Sequence, residues 1–190
     1  SWESVAAFEA EENVFAEGPY KIAVEHGDPE TEGPDKPYFS GSTDIDVAAR
    51  RVNTAQVTAH VAKSQTFVRI TEAFAKFYHD AEFTVTTGSG NEFTFRPDGT
   101  GDPERIWVKT GTTLTVSGTA RSQSQDGEKE GPLYTFPAET LDATVAATCH
   151  IFTFDASNAG SASLNIVLGE GEGETRVIPV ELNEEAIPSK

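Results

Sequence analysis

The chain has 190 residues, of which 31 are acidic and 14 basic, so its formal net charge is −17. Binding to nucleic acids and to anionic membranes depends on lysine and arginine, and this charge therefore disfavours both. The single cysteine, Cys149, excludes an intrachain disulfide, although a chain of this length can bury a core without one. We expect one soluble domain spanning residues 1–190 that binds no nucleic acid and does not insert into a membrane.

The excess of acidic residues has two possible explanations. One is ordinary acidic solubility, and the other is adaptation to multimolar salt, where screening over about 3 Å removes the repulsion between like charges. The acids are spread along the whole chain while lysine is scarce. This distribution favours salt adaptation.

The chain begins with an apolar arm of about residues 1–16, in which Trp2 and Phe8 lie among glutamates. A helix and a short strand fit this arm equally well. Residues 20–26 alternate between apolar and polar side chains, which predicts a strand. Residues 27–37 hold three prolines and two glycines and predict an exposed loop.

The middle of the chain predicts further extended segments. Residues 43–52 and 53–61 are both expected to be extended, the second more clearly. Residues 64–70 predict a strand that leads into one or two helical turns opening at Thr71. Phe83 and Val85 should then face Phe93 and Phe95 across a Gly-rich turn, as in a β-hairpin.

The last third of the chain is dominated by the alternating segment Leu141–Asp155, which predicts a long strand with a bend or bulge, or else a tall barrel. In this strand the Cys149 thiol should face the core and His150 the less buried side. Pro179 lies inside the last predicted strand, at residues 175–182, and indicates an edge position or a bulge because proline donates no ladder hydrogen bond. Other strands are expected at residues 105–109, 113–120, 133–136 and 161–168, and a mobile polar loop at residues 122–131.

Together these segments predict an all-β fold. We expect a single jelly-roll β-barrel or sandwich of about 8–10 strands, with at most one short helix and the N-terminal arm attached to it. No repeat of fixed period is found, which argues against a propeller or solenoid.

The residues that commonly carry catalysis show no constellation. None of the four histidines has a partner at metal-ligand spacing, and adjacent residues such as Cys149 and His150 point to opposite faces of a strand. We therefore predict a protein that is not an enzyme, with no catalytic and no cofactor-binding residues.

One acidic turn, residues 98–104, is the best candidate for a metal site. It concentrates Asp98, Asp102 and Glu104 among glycines, and Ca²⁺ prefers several oxygen ligands from a flexible loop. The spacing is not that of an EF-hand, so an ordinary acidic turn is the alternative. No other cofactor is expected beyond Ca²⁺ or a similar cation.

Aromatic residues exceed what one face of each strand needs. Those outside the core predict either a sugar platform or a subunit contact. In size, composition and strand pattern the whole chain resembles the small major capsid protein of icosahedral viruses with an internal membrane that infect halophilic archaea. No motif carries this resemblance, so no residue role is transferred.

The resemblance implies a structural virion protein, an upright jelly roll that assembles through its barrel sides and termini. Its partners would be copies of itself or a larger sister capsid protein, next to a viral membrane. The main alternative is a secreted or cell-surface β-sandwich module that binds carbohydrate with calcium. A cupin-like enzyme is a weaker alternative.

Overall fold

The computed structural model describes residues 1–100, 103–123, 131–158, 161–168 and 176–181. In these residues it contains two short helices and twelve strands. The elements are α1 (Val5–Glu9), β1 (Gly18–His26), β2 (Phe39–Val47), β3 (His60–Val61), β4 (Ser64–Ile70), α2 (Glu72–Phe77), β5 (Tyr78–Thr87), β6 (Glu92–Phe95), β7 (Ile106–Val108), β8 (Leu114–Ser122), β9 (Leu133–Leu141), β10 (Cys149–Asn158), β11 (Ser161–Leu168) and β12 (Arg176–Glu181).

The chain divides into two compact units. The first comprises residues 1–26 and 39–60, and the second comprises residues 27–38 and 61–190. The single domain over residues 1–190 stays a prediction.

The first unit is built on the antiparallel hairpin of β1 and β2, to which β3 adds in the order β1-β2-β3. Its apolar arm forms the five-residue helix α1, where the Ser4 hydroxyl accepts a hydrogen bond from the Ala7 N–H at 3.0 Å. This is the usual role of serine at a helix N-cap. No side chain of this unit is fully buried.

The second unit is a sandwich of two sheets. One has the order β12-β11-β10-β4-β7 and the other the order β6-β5-β8-β9. The all-β class is therefore confirmed. The pairing of β4 with β10 is parallel, whereas the strands of a jelly roll are antiparallel, so the connectivity at this point differs from the predicted one.

The core of the second unit is aromatic. Phe83 of β5 and Phe136 of β9 meet Phe154 of β10 from the opposite sheet, and Phe74 of α2 lies within 6.4 Å of all three ring centroids. All four side chains are at most 2% exposed. Since each ring buries a large apolar area, this cluster holds the two sheets together.

Helix α2 confirms the predicted helical turns after residue 70. The Thr71 hydroxyl accepts a hydrogen bond from the Phe74 N–H at 3.0 Å, while Glu72 lies in the first turn and Lys76 in the last. This cap and charge order both stabilise a helix. Its one buried residue, Phe74, reaches the core, and the helix ends where Tyr78 adopts an extended conformation.

Two other local predictions are also confirmed. Phe83 lies opposite Phe95 and Val85 opposite Phe93 in the hairpin of β5 and β6. Strand β12, which contains Pro179, is at the edge of its sheet. The predicted mobile loop at residues 122–131 lies mostly outside the described residues.

The predicted numbers of elements were too low. The described chain has two helices instead of at most one, because the N-terminal arm is partly helical, and twelve strands instead of about 8–10. In the opposite direction, residues 53–59 are not a strand, and only His60–Val61 of that segment pairs.

The prediction of one long strand over Leu141–Asp155 was wrong. Strand β9 ends at Leu141 and β10 begins at Cys149. Between them Thr144 binds the turn after β7: its N–H donates to the Thr112 carbonyl, and its hydroxyl donates to the Lys109 carbonyl. Ala147 then has a φ of 54°, a left-handed conformation that ends an extended chain.

The position predicted for His150 was also wrong. His150 is 0% exposed, as is Phe152 on the same side of β10. By the alternation of the strand, His150 and Phe152 share their face of β10 with Phe154, whose ring packs in the aromatic core between the two sheets. Cys149 is half-buried and packs against the core.

Candidate functional site

The second unit contains a groove of about 620 Å³. This volume lies in the range of small-ligand sites. Apolar side chains of Ile70, Phe93, Phe95 and Ile106 line it together with charged side chains of Arg69, Glu92, Arg96, Asp98 and Glu104. A groove of this kind can combine an apolar contact with several charged hydrogen-bonding groups.

The apolar part of the groove is built by β6 and the ends of β4 and β7. Phe95 and Ile106 are buried, whereas Ile70 and Phe93 are half-buried and keep some surface accessible. Phe93 is held in register opposite Val85. Its ring is therefore a fixed, partly accessible aromatic surface.

Two arginines provide the positive charge of the groove. Arg69, at the end of β4, donates from Nε to the Thr153 hydroxyl at 2.9 Å, and no carboxylate of the described residues forms an ion pair with it. Arg96 forms an ion pair with Glu82, with its Nε and Nη2 at 2.8 and 2.7 Å from Oε2. Arg69 is thus positioned by a neutral partner and retains its charge for a ligand.

The predicted metal residues lie partly on this groove. Asp98 and Glu104 both line it, whereas Asp102 lies outside the described residues. The Asp98 carboxylate accepts hydrogen bonds from the Thr100 N–H at 2.8 Å and from the Thr100 hydroxyl at 2.9 Å, and these two bonds lower the pKa of Asp98. The structure thus brings two of the three residues to one groove, and the calcium site stays a prediction.

Among the described residues, no three or more His, Cys, Asp and Glu side chains form a group that could hold a metal ion. The structure places His150 in the core and His60 on the exposed surface.

The loop of residues 27–38 contributes Pro34 to the groove and is fixed by its neighbour Gly33. Gly33 and Trp107 exchange two backbone hydrogen bonds, each 2.9 Å long. The φ of Gly33 is 132°, a conformation that favours glycine, and the residue is buried. The predicted exposed loop is therefore partly integrated into the β7 edge.

Glu32 ties the same loop to two other elements. Its carboxylate accepts hydrogen bonds from the Thr87 hydroxyl and the Asn91 amide, each at 2.7 Å, and from the Lys109 N–H at 3.0 Å. Burial raises the pKa of Glu32, but these three donors together outweigh it, so the net pKa is lowered. Glu32 is therefore a structural carboxylate.

Lys63 binds the backbone of the same loop. Its side chain is 2% exposed, and its ammonium donates to the backbone carbonyls of Asp28 and Lys36, at 2.6 and 3.1 Å, and to that of Thr31. Burial lowers the pKa of Lys63, while the nearby carboxylates of Asp28 and Glu32 act in the opposite direction. Three carbonyls satisfy the three donors of an ammonium group.

Sequence reasoning missed both Glu32 and Lys63. For Lys63 the available signal was its place directly before the buried strand β4, where a polar side chain must have buried partners. Together, Glu32 and Lys63 hold the loop that carries Pro34 at the groove.

A smaller pocket of about 280 Å³ lies beside β7. Trp107, Arg105, Gln65 and Lys63 are among its lining residues, and the Arg105 guanidinium lies 5.4 Å from the ring centroid of Phe67. Lys63 thus lines this pocket, while its ammonium group donates hydrogen bonds to the loop of residues 27–38.

The first unit carries an accessible aromatic cluster made of Trp2, Phe8, Phe15 and Tyr20. The centroids of Trp2 and Phe8 are 4.9 Å apart, and those of Phe15 and Tyr20 are 5.6 Å apart. Trp2 and Phe15 are each 42% exposed. This surface agrees with the expectation of aromatic residues beyond the needs of a core.

The fold and the groove define an all-β protein with a sandwich unit that carries a mixed apolar and charged concavity. The chain belongs to the family described as a domain of unknown function, DUF4493, whose model matches residues 2–184. No curated protein and no solved structure matches the chain. In the described residues no helix has the length and apolar character needed to cross a membrane.

Proposed function

We propose that this chain is a non-catalytic binding module of a secreted or cell-surface protein, and that its groove binds a carbohydrate. The observation that supports the proposal is that the half-buried Phe93 lines the same groove of about 620 Å³ as Arg69 and Asp98.

Each part of the groove suits a feature of a sugar. A sugar ring has an apolar face that packs on an aromatic ring, and its hydroxyl groups both donate and accept hydrogen bonds. Arg69 supplies planar donors, while Asp98 and Glu104 supply acceptors. The loop held by Glu32 and Lys63 keeps Pro34 in place, so that little ordering is needed on binding.

Binding to a glycan array, followed by calorimetric titration of the best oligosaccharide, tests this function. We expect Phe93→Ala and Arg69→Ala each to weaken binding about tenfold or more, since each removes a central contact. Arg51→Ala is the matched control, because Arg51 is exposed in the first unit and does not line the groove. Binding that is unchanged in both groove variants would contradict the proposal, as would the absence of binding to any glycan.

Calcium binding is tested in a separate experiment. If the predicted site of Asp98, Asp102 and Glu104 binds Ca²⁺, adding calcium should raise the melting temperature, and Asp98→Asn should abolish the shift. A shift that persists in Asp98→Asn would place the ion elsewhere.

A second proposal is the virion shell subunit, which would assemble with copies of itself or a sister capsid protein. The exposed cluster of Trp2, Phe8, Phe15 and Tyr20 supports it, because exposed apolar surface is typical of subunit contacts. Light scattering and particle imaging from low to multimolar salt test it. A protein that is monomeric throughout would count against it.

A further inference from the structure

Strand β1 is the edge strand of the first unit's sheet. The sheet has the order β1-β2-β3, so one side of the nine-residue strand Gly18–His26 pairs with β2 and the other faces no strand of the described chain. An edge of this length presents a row of backbone donors and acceptors that can pair with another strand.

Pro19 indicates which residues of β1 direct their backbone groups to this free edge. Pro19 lies opposite Asp46 in the pairing with β2 but has no N–H to donate, so it suits a position whose backbone faces away from β2. Backbone direction alternates along an antiparallel strand. Lys21, Ala23 and Glu25 share the alternation of Pro19, and their N–H and carbonyl groups therefore face the free edge.

Strand β1 carries two opposite charges at equal distances from Ala23. Lys21 lies two residues before it and Glu25 two residues after it, and both side chains are exposed on the same face. Within one strand they are about 13 Å apart, too far to form an ion pair. In an antiparallel pair of two β1 strands centred on Ala23, each Lys21 would lie directly opposite a Glu25, at about 5 Å.

We propose that two copies of this chain associate by pairing β1 with β1 in antiparallel fashion, across a two-fold axis at Ala23. The two three-stranded sheets then form one continuous sheet of six strands. Such an interface is isologous, since each Lys21 meets the Glu25 of the other copy.

The other face of β1 fits the same register. Tyr20, Ile22 and Val24 are half-buried in the single chain. In the pair, Ile22 lies opposite Val24 and Tyr20 lies opposite His26. β-Branched and aromatic cross-strand pairs of this kind stabilise antiparallel sheets.

Neighbouring registers are less favourable. Moving the axis one residue toward Tyr20 places Lys21 opposite Ala23 and Glu25 opposite Pro19, so both ion pairs are lost. Moving it two residues places two Lys21 side chains opposite each other, and like charges in that position are destabilising. In the single chain the residue opposite Lys21 is Asp44, so the proposed pair would set Lys21 between two carboxylates.

Charge reversal in the full chain tests the pairing. Sedimentation equilibrium of the unmodified chain should show a dimer. Lys21→Glu and Glu25→Lys should each weaken dimerisation about tenfold or more, because each places like charges opposite each other twice per dimer. The double variant Lys21→Glu with Glu25→Lys restores the opposite charges and should recover the affinity of the unmodified dimer.

Ala23→Pro provides an independent measurement, since it removes the central N–H at the free edge, and Ala23→Thr is its control because it keeps that donor. We expect dimerisation to be lost only with proline, at an unchanged circular dichroism spectrum. The proposal is overturned if the unmodified chain is monomeric at all concentrations, if the single reversals dimerise normally, or if the double variant fails to recover.

This dimer depends neither on the groove nor on shell assembly. Glycan binding by the monomeric variants should be unaffected, so the two proposals can fail separately. A dimer without larger particles would support the pairing of β1 while counting against the shell.

Discussion

The ring of Phe83 stacks on the ring of Phe154, with the centroids 3.8 Å apart and the ring planes at 19°. Phe83 lies on β5 and Phe154 on β10, so this contact joins the two sheets of the second unit. Its partners Phe74 and Phe136 surround the pair with tilted and edge contacts.

Replacing Phe154 by alanine should destabilise the fold by about 3–5 kcal/mol, because it removes a buried ring and leaves a cavity between the sheets. Chemical denaturation measures this change. Phe15→Ala is the matched control, since Phe15 is 42% exposed and should cost much less. In a double-mutant cycle with Phe83→Ala we expect a coupling of about 0.5–1.5 kcal/mol. Strict additivity would contradict a direct contact.

Lys63→Met should lower the free energy of unfolding by about 1–3 kcal/mol, because it leaves three loop carbonyls without their donor. Amide hydrogen exchange in residues 28–36 should accelerate at the same time. The matched control Lys76→Met changes an exposed lysine and should stay within about 0.5 kcal/mol. Unchanged exchange in the loop would show that Lys63 does not hold it.

His150 should make the protein less stable in mild acid. Burial lowers the pKa of His150 from its ordinary 6.5, and its Nε2 accepts a hydrogen bond from the Val145 N–H at 3.0 Å. Only an unprotonated nitrogen can accept this bond. The folded state therefore binds a proton less readily than the unfolded state, so the contribution of His150 is complete above pH 6.5 and is lost as the pH falls through the lowered pKa.

Denaturation from pH 8 to pH 5 checks this sign. His150→Gln keeps an acceptor for Val145 without a titrating group, and it should flatten the dependence over this range. His60→Gln, at an exposed position, is the matched control. A profile that is equally steep in His150→Gln would assign the effect to another group.

Thr100→Val should raise the pKa of Asp98 toward its ordinary value of 3.8, because it removes the hydroxyl donor and leaves only the N–H. Carboxyl NMR titration measures the change. Thr94→Val is the control, since Thr94 lines the groove without a hydrogen bond to Asp98. An unchanged pKa would mean that the Thr100 hydroxyl does not bind Asp98 in solution.

Local patterns predicted the elements whose geometry depends on near neighbours. The hairpin of β5 and β6 follows from alternating phenylalanines around a Gly-rich turn, and α2 follows from Thr71 as its N-cap. Both patterns act over a few residues, so the sequence contains the whole cause. The prediction for the segment Leu141–Asp155 failed because its cause is not local. The alternation is real, but Thr144 is bound by the distant turn after β7.

The candidate site could be predicted only in part. The acidic turn at Asp98 was visible because its residues are consecutive, whereas the groove also needs Arg69 and Pro34, which are distant in the chain. The network of Glu32 was invisible because its donors come from residues 87, 91 and 109.

The sequence by itself determined the all-β class, since period-two alternation and short turns specify strands wherever they occur. Only the tertiary structure decided that β4 and β10 pair in parallel, that His150 is buried and that Lys63 holds the loop beside the groove. The physical reason is that burial and hydrogen-bond partners depend on which distant segments meet, and the local pattern of one strand does not contain that information.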